Sequence, residues 1–384
     1  MFNSPCIMVG KYTCWLWANA AWACGAPANP APLEGDSVML QIEAVADKAC
    51  LQAVSWLPEG AVRLLDQRRL PELATQDCRD EVEVLAAMRC GVVAGAAALG
   101  VAAAFGVALA ARQQVTPVRD WSQELEPVIA AFAALGPMAA NLQWALGIMR
   151  QTLAGIAPDA DVPGRLLQAA EAIAGADAEA NQSMARFGLQ LLRRHHSAEQ
   201  KLMLLGYSGE LSGGGGGTAM GVVQAAHRAG VLKEVLVSEA SPSRSGARLA
   251  AWELQRTGVP CSVIADTAAA SSMKYDPVSW VIVGAERIAA NGDVITTQGT
   301  YALAILAMHH GLRFMVVAST ATLDMSLSDG DALEPEVLQG AAGSSQPLDV
   351  TPVELIDAIV TEKGVIERPD EGKIAKLMSI RRLH

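Results

Sequence analysis

The chain has 384 residues, of which 51% are hydrophobic and 18% charged, with 34 glycines and 18 prolines. That balance fits a well-packed α/β protein with many tight turns and excludes collagenous, coiled-coil and disordered classes. A formal net charge of −11 without a long basic run offers no positive footprint for a nucleic acid.

Residues 1–36 carry, after Lys11, the largely apolar stretch YTCWLWANAAWACGAPA, which faintly resembles a secretory signal. It begins late and is too short and broken to span a membrane, so Met1–Asp36 is read as a poorly ordered extension of a cytoplasmic protein. Residues 37–175 read as a smaller, mainly helical domain. WLPEGAVRLLDQRRLP opens it with a hairpin or strand pair around Pro58–Gly60, and Asp80–Met88 starts a helix on acidic residues, which suits the positive end of a helix dipole. Cys90–Ala111 is almost wholly apolar and predicts a helix buried on all sides, its glycines admitting close neighbours. Two helical segments follow, near Glu124–Leu153 and Gly164–Ala174. Seven scattered cysteines form no C-x-x-C, and no histidine pair has HExxH spacing; neither a metal, a cofactor nor a disulfide framework is expected.

Residues 176–384 alternate regularly. A helix near Ser183–Arg194 precedes strand Leu202–Tyr207, helix Thr218–Ala229, strand Glu234–Ser238 and helix Gly246–Arg256. Strand Cys261–Ala265, helix Ala268–Met273, strand Trp280–Val283, helix Thr300–His309, strand Arg313–Ala318 and a last helix at Pro352–Glu362 complete the series. Short, continuously apolar strands between helices predict a Rossmann-like, mostly parallel sheet with helices on both faces. Ligands on such sheets lie at the carboxyl ends of the strands, where strand order switches.

The loops at those ends supply the candidate residues. Glu286 directly follows an apolar strand, the natural place for a pocket carboxylate with a raised pKa; an ion pair with Arg287 is the competing fate. Tyr207 and Ser208 end the first strand and are expected to donate hydrogen bonds into the same pocket. Gly213, Gly214, Gly215, Gly216 and Gly217 precede a helix, where their N–H groups can cradle an anion; a flexible lid or plain linker is the alternative. Arg244 and Arg248 flank a helix start and can meet an anionic substrate or pair with carboxylates. Asn291 and Asp293 either line the pocket or cap their own turn.

Several long segments carry a resemblance. GTAMGVVQAAHRAG, GARLAAWELQRTGVP, VIVGAERIAANGD, GTYALAILAMHHG, STATLDMSLSDGD and DVTPVELIDAIVTEKGV, with LLDQRRLP and GAAALGVAAAFGVALAAR upstream, resemble signatures of the methylthioribose-1-phosphate isomerase family, in the expected order from about Trp56 to Val365. The resemblance implies a small helical N-terminal domain, a Rossmann-like C-terminal domain, a homodimer, and interconversion of an aldose 1-phosphate and a ketose 1-phosphate. It also exposes departures. The family's histidine–cysteine–asparagine run is here Gly206–Tyr207–Ser208, and its catalytic aspartate is Glu286. Its arginine–glycine–alanine–proline loop is Ala94–Gly95–Ala96–Ala97. An arginine becomes Ser241, a glutamine Ser245, and an asparagine–lysine pair Thr296–Thr297. Those losses remove charge-assisted donors for phosphate and a thiol. They point to a repurposed isomerase-like enzyme that works by proton transfer on a small, unphosphorylated metabolite, lined by Tyr207, Ser208, Ser241, Ser245, Thr296 and Thr297. The alternatives are a non-catalytic scaffold, akin to the regulatory subunits that share this fold, and an ordinary methylthioribose-1-phosphate isomerase. Neither nucleic acid nor membrane is an expected partner.

Overall fold

Apolar runs, not propensity, set the larger architecture. The computed structural model describes residues 51–114, 120–157, 160–195, 199–276, 278–333 and 347–379; the expectation for Met1–Asp36 lies outside them. Strands β1 (Val54–Leu57), β2 (Ala61–Leu65) and β3 (Thr75–Cys78) form an antiparallel meander, turning at Pro58–Gly60. Helix α1 (Glu81–Arg89) starts where Asp80 accepts a hydrogen bond from the Glu83 N–H.

Helix α2 (Ala96–Arg112) is the apolar run, with fourteen of its seventeen residues buried. Its glycines are contact points: a Cβ on Gly106 would meet the Phe132 ring at 2.4 Å, and one on Gly100 the Asn141 carbonyl at 2.9 Å. The predicted Glu124–Leu153 segment is two helices, α3 (Trp121–Ala133) and α4 (Ala140–Gly155), broken around Gly136–Pro137. The opposite correction applies next. Gly164–Ala174 and Ser183–Arg194 are parts of one helix, α5 (Val162–His195), so no linker separates the two halves at 175/176. Its buried stripe (Leu166, Ala170, Ile173, Ala180, Met184, Leu191) keeps helical spacing throughout, and Gly175 meets nothing within 4 Å, so it costs only about 1 kcal/mol of propensity.

The large sheet contains β4 (Gln200–Leu205), β5 (Leu232–Ser238), β6 (Cys261–Ile264), β7 (Trp280–Val283), β10 (Arg313–Val317), β13 (Ala358–Thr361) and β14 (Gly364–Glu367), in the order β14-β13-β10-β7-β4-β5-β6. All neighbours are parallel except β13–β14. Alternate residues feed two cores: Leu202 and Leu204 enter one, Met203 and Leu205 the other. Helices α6 (Ala219–Arg228), α7 (Ser245–Arg256), α8 (Ala269–Tyr275), α9 (Thr300–His309) and α10 (Glu371–Ser379) cover the faces together with α5. A second sheet, β11-β8-β9-β12, combines β8 (Arg287–Ala289), β9 (Val294–Thr297), β11 (Leu323–Asp324) and β12 (Leu348–Thr351).

The fold is therefore α/β and Rossmann-like with a smaller helical region before it. The expected last helix is corrected: Pro352–Glu362 holds a 3-10 turn and β13, because the largely β-branched run AIVT pairs with GVIE across a Glu362–Lys363 turn. Among the described residues no helix is long and apolar enough to cross a membrane.

Gly100→Val tests the packing of α2. Its Cβ would press on the Asn141 backbone, which cannot swing aside, so overpacking should remove about 1–3 kcal/mol of stability. A urea midpoint equal to that of the parent would contradict this account.

Candidate active site

Strand order reverses between β4 and β7, and a cleft opens at their carboxyl ends. It holds about 490 Å3, bordered by Gln67, Gly95, Ala96, Tyr207, Ser245, Arg248, Glu286 and Thr297. An inner recess of about 50 Å3 shares Gly95, Ala96, Tyr207, Glu286 and Thr297 and adds Asn181, Ser208, Gly213 and Thr296. A larger cavity of about 950 Å3 lies past Asp177 and Asn141, but no expected site residue lines it, so size does not identify the site.

Glu286 stands at the floor. Its backbone is fixed at both ends: the N–H donates to Ile295 (2.9 Å), and the carbonyl accepts from Ala140 at the start of α4 (3.2 Å). Its half-buried carboxyl has no side-chain partner among the described residues, and lost hydration alone raises its pKa above the ordinary value. Arg287 does not neutralise it. That guanidinium pairs with Asp324 at 2.6 Å and donates to the carbonyls of Pro137 (2.7 Å) and Met138 (3.3 Å).

Tyr207 is a correction. Its hydroxyl donates to Glu253 Oε2 (2.9 Å) and accepts from the Leu211 N–H (3.1 Å), so it is consumed inside the fold, and burial raises its pKa further. Ser208 borders the recess while its carbonyl accepts from the Thr218 N–H at 2.9 Å. The glycine run is also corrected. Only Gly213 borders the recess. Gly214 and Gly217 serve close packing: a Cβ on Gly214 would lie 2.5 Å from the Ala174 carbonyl, and one on Gly217 would lie 2.5 Å from the Ser208 carbonyl, at φ +68°. Gly215 and Gly216 also hold positive φ, and Asp177 accepts from the Gly214 N–H at 2.6 Å.

Ser241 and Arg244 fall outside the cleft. Ser241 bonds to Asp266 (2.8 Å) and Glu239 (2.8 Å), and Arg244 pairs with Glu239 at 3.2 Å. Asn291 and Asp293 also lie away from it. They bond to each other, and Asp293 accepts from the N–H groups of Gly330 (3.0 Å) and Val353 (2.9 Å), which ties three loops together. Ser245, Thr297 and Arg248 do reach the cleft, and Thr296 the recess. Arg248 donates to the carbonyls of Leu70 and Gln67 (both 3.0 Å), and no carboxylate lies within ion-pair range among the described residues. Helices α2 and α7 both begin at this cleft, and neither N-terminus has a side-chain cap. The Ser245 N–H at the start of α7 donates to Ser243 Oγ (3.4 Å), and the positive dipole ends of both helices lie beside Arg248 at the cleft.

The sequence reading missed three residues. Gln67, inside LLDQRRLP, and Asn181, an amide on the buried stripe of α5, both border the cleft. Glu253, 0% exposed on the buried face of α7, accepts from Tyr207, the Glu210 N–H (3.0 Å) and Gln224 (2.7 Å). A polar residue in an apolar stripe was the available signal in the last two cases.

Burial lifts the Glu253 pKa from 4.5 to about 7. Between those values the folded chain keeps a proton that the unfolded chain has lost. The stability this contributes is full below the unfolded pKa and disappears as pH rises through the folded one. Glu253→Gln keeps the shape without titrating. Urea midpoints taken from about pH 5 to about pH 8 should fall less steeply than in the parent; identical slopes would contradict the assignment.

The sequence model of the Initiation factor 2 subunit family matches residues 92–368. Methylthioribose-1-phosphate isomerase of Ectopseudomonas mendocina (strain ymp) is 47% identical over 349 residues, covering 87% of this chain and 97% of that protein. The Pseudomonas putida (strain GB-1) enzyme of the same name is 43% identical over 347 residues, covering 86% and 97%. Among solved structures, 5-methylthioribose 1-phosphate isomerase from Pyrococcus horikoshii OT3 superposes with a TM-score of 0.75 at 32% identity, covering 86% of this chain and 96% of that one. Translation initiation factor eIF-2B subunit delta from A. fulgidus gives 0.70 at 30%, covering 86% and 100%. These full-length likenesses correct the functional expectation. Identity of 43–47% to methylthioribose-1-phosphate isomerases overturns the reading of a pocket turned to an unphosphorylated metabolite or to a scaffold role.

Proposed function

The chain belongs to the Initiation factor 2 subunit family, with methylthioribose-1-phosphate isomerases among its relatives, and we propose that it isomerises methylthioribose 1-phosphate to the ketose 1-phosphate. One observation carries the chemistry: the unpartnered, pKa-raised carboxyl of Glu286 on the floor of the cleft. Protonated, it delivers its proton to the ring oxygen as the C1–O bond breaks, leaving positive charge at C1. Hydrogen then moves with its electron pair from C2 to C1. The resulting carboxylate takes the proton of the C2 hydroxyl as the ketone forms. Glu286 ends as it began, so one carboxyl suffices where Tyr207 replaces the family's thiol.

Phosphate is held by Arg248 with the positive dipole ends of α2 and α7 beside it, which supplies the positive charge that Ala94, Ser241 and Thr297 do not. The exposed apolar stripe Tyr301, Ile305 and Met308 on α9 supports a homodimer joined across the C-terminal region. A small-molecule role of this kind suits a cytoplasmic protein.

Conversion is followed by NMR of methylthioribose 1-phosphate. Glu286→Gln should bind substrate normally and lose two to four decades in rate, roughly the value of positioned acid–base catalysis. Turnover near the parent rate would remove Glu286 from the mechanism. Arg248→Met should raise KM at least about tenfold, since a hydrogen bond to a charged group is worth roughly 1.5–3 kcal/mol; an unchanged KM would place the phosphate elsewhere. Met308→Glu should shift the sedimenting species to monomer, and a monomeric parent would refute the dimer.

A further inference from the structure

Two buried amides border the cleft and its recess. Gln67, 2% exposed, donates through Nε2 to the carbonyls of Leu211 (2.8 Å) and Ala94 (3.4 Å). Asn181, also 2% exposed, donates through Nδ2 to the Gly215 carbonyl (2.8 Å) and Asp177 Oδ2 (3.0 Å). The Leu211, Ala94 and Gly215 carbonyls only accept, so each amide nitrogen must face them, and the position of each amide oxygen follows. Among the described residues neither Gln67 Oε1 nor Asn181 Oδ1 has a hydrogen-bond donor. Buried polar atoms are seldom left this way, because an empty acceptor forfeits its hydration without return. Gln67 borders the outer cleft and Asn181 the recess, with Glu286 lining both.

An amide carbonyl oxygen needs a hydrogen-bond donor. A phosphate has none to give, whereas a sugar chain carries several hydroxyls along its length. We infer that Gln67 Oε1 and Asn181 Oδ1 accept hydrogen bonds from hydroxyls of the substrate's sugar chain, which makes the two amides specificity-determining residues. This rests on the sugar-phosphate reading above. It adds a criterion for selection: an analogue lacking the matching hydroxyl enters but leaves a buried oxygen unpaired.

The test uses an open-chain pentitol 1-phosphate, which has no carbonyl and cannot react, together with its monodeoxy counterparts. Calorimetric titration of the parent protein should show at least one deoxy compound binding about three- to tenfold more weakly, the range for a neutral hydrogen bond. In Gln67→Met or Asn181→Leu the corresponding penalty should vanish, because the acceptor is already gone; a merely structural role would leave the two losses multiplying independently. Independent losses, deoxy compounds that match the pentitol phosphate on the parent protein, or no binding of the pentitol phosphate would each overturn the inference. If a substituted chain fails to fold, the parent-protein titrations still decide. Retained hydroxyl dependence without turnover of methylthioribose 1-phosphate would sink the isomerase reading and leave this one standing.

Discussion

Everything at the cleft depends on how the loop from Gly206 to Gly217 is held. It leaves β4 where strand order reverses, and most of its anchors are polar groups from other elements. Glu253 takes the Glu210 N–H and the Tyr207 hydroxyl from one side. Asp177, Asn181 and Gln67 take Gly214, Gly215 and Leu211 from the other. A loop clasped at this many points needs little side-chain bulk of its own, and the glycines let it lie flush against α5 and against its own start at Ser208. Backbone entropy, the usual liability of such a run, is offset by these directed bonds.

The clasp also unites the two parts of the protein. Gln67 belongs to the N-terminal meander region and Asp177 and Asn181 to α5, yet all three hold a loop of the large sheet. The Ala140–Glu286 backbone bond and the Arg287–Asp324 pair, itself bonded to the Pro137 and Met138 carbonyls, add two more ties beside the reacting carboxyl. Because α5 runs unbroken from the helical region into the sheet's covering layer, the cleft walls are set by one continuous body and not by a hinge at residue 175.

Two glutamates near the site, Glu253 buried and Glu286 half-buried, show how surroundings assign roles. Glu253 is saturated with donors from three directions and works as a brace. Glu286 is fixed through its backbone alone, which leaves the carboxyl open to substrate. Arginines divide in the same manner. Arg244 and Arg287 are neutralised by Glu239 and Asp324, while Arg248 meets only carbonyls and keeps its charge for an incoming anion.

The sequence by itself determined the layer order, the apolar strands β4, β5, β7 and β10, the buried helix α2, and Glu286 at a strand end, because hydrophobic periodicity and strand-end position are local properties. It also carried the family signatures, whose weight as a whole outran the inference drawn from a few replaced residues. Which polar side chains face the cleft was decided only in three dimensions. Tyr207 stands in the expected loop but turns its hydroxyl to Glu253, a partner 46 residues away, and Asn291 and Asp293 satisfy each other. Gln67 and Asn181 come from segments 114 residues apart, by their own numbering, yet hold one loop. A hydrogen-bond acceptor is chosen by distance and direction, which sequence spacing does not encode once the chain has folded back on itself.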